Sequence, residues 1–112
     1  MKKTAILAFA AFASLATPVT AGTEAPMTYE EEYARVEERA IINVPIAGIE
    51  NELWFDYRLD VIKAQKKLNE KLREADSIKD ERRSWERYAN ELQKRRIAYI
   101  EAMAKQGFRL AY

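Results

Sequence analysis

The chain has 112 residues, 33% of them charged and 11% aromatic, with neither Cys nor His. One small domain is the ceiling, and disulfides, Cys/His zinc sites, thiol nucleophiles and imidazole bases are all excluded. The formal net charge of +1 hides a strong segregation: Glu50, Glu52, Asp56 and Asp60 cluster just before Lys63, Lys66, Lys67, Lys71 and Arg73.

The first residues read as an export signal. Lys2 and Lys3 form a charged head, Ala5 to Ala16 an apolar core, and Pro18-Val19-Thr20-Ala21 a small-residue exit, with cleavage expected after Ala21. An apolar core of about a dozen residues is short of the roughly 20 that span a bilayer. The expected location is therefore the bacterial periplasm or exterior. Loss of Lys2 and Lys3 would leave 17 Lys and Arg against 18 Asp and Glu, which gives no global attraction to nucleic acid or anionic membrane. Without disulfides, the exported chain must be held by packing alone.

Residues 22–27 read as a flexible linker, and residues 28–112 as a single small helical domain. Thr28 followed by Glu31 fits a capping box, and Tyr29, Tyr33, Val36 and Ala40 recur at helical spacing, so a first helix is expected over about 28–42 with that face turned inward. Pro45 stops or kinks it.

From Ile49 to Gln106 there is no Gly, Pro or Thr, and strands are not expected. Leu53, Tyr57, Val61, Ala64, Leu68, Leu72 and Ala75 track one helix face; Ile78, Trp85, Leu92, Tyr99 and Met103 track another, interrupted by Arg82 and Arg96. Lys71 and Arg73 suit a helix C-terminus, and Ser77 with Asp80 and Glu81 a new N-terminus. The fold class expected is all-α: an antiparallel hairpin of helices over about 45–75 and 78–106, with the shorter first helix packed at its open end. Folding about position 77 places residue i opposite residue 154 − i. That register brings Asp56 and Asp60 to Arg95 and Arg96 as structural ion pairs, Trp54 to Ile100, and Trp85 to Leu68 and Leu72. Gly107, flanked by Met103 and Phe108, fits a Schellman stop. The apolar phase also continues across Asp76-Ser77, so one continuous long helix forming a coiled-coil oligomer is the alternative.

Chemistry has little to stand on. Ser77 is accounted for by capping, and no side chain is at hand to activate Ser84. The carboxylates Glu30, Glu31, Glu32, Glu37, Glu38, Glu52, Asp56 and Asp60 read as charged helix faces rather than an acid/base pair or a hard-metal site. No catalytic residue, metal ligand or cofactor is expected. The aromatic end points instead to protein binding. Trp54, Phe55 and Tyr57 are the expected contact residues, with Lys63, Lys66 and Lys67 as a polar margin. The function expected is that of an exported, non-enzymatic adaptor, accessory subunit or chaperone-like holdase that binds another envelope protein. The alternatives are a coiled-coil spacer formed by self-association, or binding of an anionic envelope polymer or lipid through the basic 63–73 face. Nucleic acid is not an expected partner.

Overall fold

The computed structural model describes residues 26–109. The expected export signal and most of the linker that follows it lie outside the described residues. Three α-helices follow in chain order: α1, Tyr29–Arg39; α2, Glu52–Glu74; and α3, Ile78–Lys105, with a tight 3₁₀ turn at Ile46–Gly48 before α2. No strand occurs among the described residues, and no helix there is long and apolar enough to cross a membrane.

Helices α2 and α3 form the antiparallel hairpin. Ala75, at the end of α2, has an extended backbone, and Ser77 starts α3 by accepting the Asp80 N–H on its hydroxyl at 3.2 Å. Asp80 reaches back in turn to the N–H of Asp76. Caps of this kind satisfy amides that a continuous helix would have bonded internally, so the long single helix does not form. The register is the expected one. Asp60 meets Arg95 at 3.7 Å, the Trp54 and Tyr99 rings lie 5.8 Å apart, and Asn51 donates to the Met103 sulfur; the residue numbers in these pairs add to 155, 153 and 154. At the far end Gly107 adopts φ +94°. Its N–H bonds to the Ala104 carbonyl and that of Phe108 to the Met103 carbonyl, which is the double bond of a Schellman stop.

Two boundaries differ from expectation. The first helix ends at Arg39 rather than Ile42, and α2 begins at Glu52 rather than Pro45. Ala47 and Gly48 both have left-handed backbones, φ 57° and 70°, which a right-handed helix cannot contain. The true N-cap of α2 is Asn51, whose side chain accepts the Trp54 N–H at 3.0 Å.

Helix α1 also sits differently. It lies along α3 in the same direction, with Glu30 at Arg82, Tyr33 at Asn90 and Glu37 at Arg96. It therefore starts near the closed end, and the open end is covered by the segment after it, where Ile42 meets Tyr57 and Ile46 meets Tyr99. The face expected to turn inward is largely outward: Tyr29 is 75% exposed, and Val36 and Ala40 are exposed too. The buried face carries Ala34 and Glu37 instead. On α3, Arg82, the Tyr88 hydroxyl and Arg96 receive the carboxylates of Glu30, Glu38 and Glu37, partners that the opposite face of α1 does not offer.

Candidate functional site

The residues expected to contact a partner are divided by the fold. Trp54 and Tyr57 are each only 3% exposed, whereas Phe55 is 51% exposed. One residue is about 100° of helix rotation, so Phe55 leaves the core that Trp54 enters. Tyr57 and Tyr99 stack with ring centroids 4.9 Å apart, and Trp54 leans on both. The two hydroxyls accept the backbone N–H groups of Ile42 and Ile46, each at 3.0 Å. Those amides belong to non-helical chain and would otherwise be short of partners. Burial raises the Tyr57 pKa above its ordinary value, against the lowering effect of the Ile42 bond. The aromatic cluster is thus a clasp that fastens the connecting segment to the hairpin.

Carboxylates that could have carried chemistry fasten α1. Glu30 takes Arg82 in a two-point bond at 2.8 and 3.0 Å, and Glu37 takes Arg96 at 2.5 Å. Glu38 accepts the Tyr88 hydroxyl at 2.6 Å, while the Arg35 guanidinium lies 4.7 Å from the Trp85 ring centre. The Arg82 bond holds the Glu30 carboxyl below its usual range. Burial first, then the bond to Glu38, pushes the Tyr88 hydroxyl well above the ordinary tyrosine value. Among the described residues no group of three or more acidic side chains converges as a metal site.

The expected ion pairs are partly realised. Arg95 bonds Glu91 at 2.7 Å and meets Asp60 at 3.7 Å. Arg96 lies about 100° further round α3, on the flank that α1 covers, and pairs with Glu37 instead. Asp56 is exposed and pairs with no cation among the described residues. Trp85 is partly buried and lies beneath Arg35 of α1.

A groove of about 720 Å³ runs between α2 and α3, with Ala64, Leu68 and Tyr88 in its floor. Lys63, Lys67, Arg83, Arg87 and Lys94 line it, and none of the five pairs with a carboxylate among the described residues. The hairpin register places Lys67 level with Arg87, cation facing cation. Of the expected margin, Lys63 and Lys67 line this groove, and Lys66 is exposed on the outer side of α2. The contributions of Arg83, Arg87 and Lys94 were missed from sequence, although their helical spacing, set against Lys63 and Lys67 in the 154 register, places all five on one side. No protein-family model, curated protein or solved structure matches the chain.

Proposed function

We propose that this is an exported, non-enzymatic helical module whose α2–α3 groove binds an acidic amphipathic helix of another envelope protein, in an adaptor, accessory or holdase role. The observation that carries the reading is the groove itself: seven cations and four carboxylates line it, and five of the cations, on both rims of a floor made by Ala64, Leu68 and Tyr88, are unpaired among the described residues. Like charges facing across a gap repel, and an anionic occupant removes that cost. The apolar floor favours an occupant with one apolar face over a plain polyanion, since a helix laid in a groove gains from both faces.

Isothermal titration with two probes tests this: a synthetic amphipathic Glu/Leu helical peptide, and poly-glutamate of equal charge. The peptide is expected to bind one to one and at least tenfold more tightly than poly-glutamate, and Lys67→Glu with Arg87→Glu is expected to abolish binding. Equal affinity for both probes, falling steeply with salt, would assign the groove to an anionic envelope polymer or lipid headgroup. Binding of neither probe would make it a solvated surface.

A further inference from the structure

A second surface, which shares only Lys63 with the groove, lies on the outer side of α2. Phe55, Leu59 and Ile62 are 51%, 52% and 52% exposed, and their spacing of four and three keeps them within about 60° of arc on the helix. Trp54, Tyr57, Val61, Ala64 and Leu68 occupy the opposite, buried side, so this helix is apolar on two faces and, among the described residues, has a partner for only one.

The charges around the outer stripe have an order. N-terminal to Leu59 come Glu52 and Asp56; C-terminal to it come Lys63 and Lys66. All four are exposed, and none is paired among the described residues. Within one molecule this places like charges four apart, Glu52 with Asp56, and three apart, Lys63 with Lys66, an arrangement that weakens an isolated helix.

We propose that α2 packs through this stripe against α2 of a second copy of the chain, antiparallel, with a two-fold axis passing at Leu59. A two-fold contact is self-complementary, so residue i meets j and j meets i. Centred on Leu59, it sets Leu59 against the partner's Leu59, Phe55 against the partner's Ile62, Glu52 against the partner's Lys66 and Asp56 against the partner's Lys63. Each apolar residue meets an apolar one, and each charge its opposite, twice over. Arg58, on the other flank of the stripe, is already engaged with its guanidinium 5.6 Å from the Trp54 ring centre. A shift of one helical turn in either direction still sets Leu59 against an apolar residue, the partner's Phe55 or Ile62, but takes Glu52 off the partner's Lys66, so it is charge that specifies the register.

The chain has no cysteine, which makes a single introduced thiol diagnostic. Leu59→Cys in the full chain as it accumulates in the expressing cell is expected to form a disulfide dimer under mild oxidation. Arg73→Cys, whose copies would lie about 42 Å apart in this register, is expected to stay monomeric. Sedimentation equilibrium of the unmodified protein is expected to give twice the monomer mass, and Leu59→Glu to give the monomer with an unchanged far-ultraviolet spectrum. Glu52→Lys and Lys66→Glu should each weaken the dimer at least tenfold, and the double charge swap should restore it. A monomer at every concentration, a dimer indifferent to Leu59→Glu, or a swap that fails to restore would overturn the proposal. None of these variants alters Lys67 or Arg87, so either proposal can fail while the other stands.

Discussion

Helix α3 meets its two neighbours by different chemistry. Towards α2 the contact is made by side chains such as Trp54, Tyr57 and Tyr99, rings packed on rings and continued by Val61, Ala64 and Leu68. Towards α1 it is made by Glu30 on Arg82, Glu37 on Arg96 and Glu38 on the Tyr88 hydroxyl, around the wholly buried Ala34 and Ala89. The first contact rests on removal of apolar surface from water and tolerates salt and acid. The second rests on groups whose desolvation is costly and is repaid only while both partners are present and charged. One face of the molecule is therefore built to be permanent and the other is conditional.

The sharpest break in that comparison comes from the ring cluster. Trp54→Ala is expected to cost about 3–5 kcal/mol in chemical denaturation, from lost burial and the cavity left behind. Phe55→Ala, one residue away and outside the core of the single chain, is expected to cost no more than about 0.5 kcal/mol when measured at concentrations low enough to keep the protein monomeric. Equal effects would mean that the stripe on α2 is core as well.

Next is the Glu37–Arg96 pair. Glu37→Gln or Arg96→Met alone is expected to cost about 3 kcal/mol, because each leaves its partner largely buried and uncompensated. The double change to Glu37→Leu with Arg96→Met should cost less than either single change, since an apolar pair of similar bulk avoids the desolvation penalty. Additive losses in this cycle would show that the α1 contact is not conditional on pairing.

Proton uptake gives a smaller, graded effect. The Glu30 carboxyl is held low by Arg82, so its stabilising effect is present above the unfolded carboxylate value of about 4.3 and is lost as the pH falls through the lower folded value. Hydrogen exchange corrected for intrinsic rate should therefore show α1 amides losing protection in acid before those of α2. Tyr88 is raised by burial and by Glu38, so its effect is full below the ordinary tyrosine value of about 10 and is lost as the pH rises beyond it. Acid should separate the two contacts, and strong alkali should weaken both, since Tyr57 is raised as well.

The smallest expected change is at Ala47. A non-glycine residue at φ 57° carries a penalty of about 1 kcal/mol, and Ala47→Gly relieves it at some cost in unfolded-chain entropy. A net gain of about 0.5 kcal/mol in thermal unfolding is expected.

The hairpin was legible because its signals are local and periodic. Leu53 to Ala75 and Ile78 to Met103 spell two apolar faces, Ser77 and Gly107 mark ends, and the 154 register follows from a turn at position 77. The start of α2 was not legible: Pro45 points to too early a start, the cap at Asn51 went unrecognised, and nothing in the identity of Ala47, an ordinary helix former, announces a left-handed backbone. The groove was half legible, through Lys63 and Lys67, and its other rim needed the register applied to Arg83, Arg87 and Lys94.

By itself the sequence determined the helices, their turn and the pairing of α2 with α3, because capping and apolar periodicity act within a few residues along the chain. The tertiary structure alone decided how α1 docks, which aromatic rings are core, and which cations stay unpaired. Those outcomes depend on partners distant along the chain, as Glu30 depends on Arg82, Ile46 on Tyr99 and Trp54 on Tyr99. A carboxylate that reads as a solvated face becomes a fastening only when the fold brings an arginine to meet it.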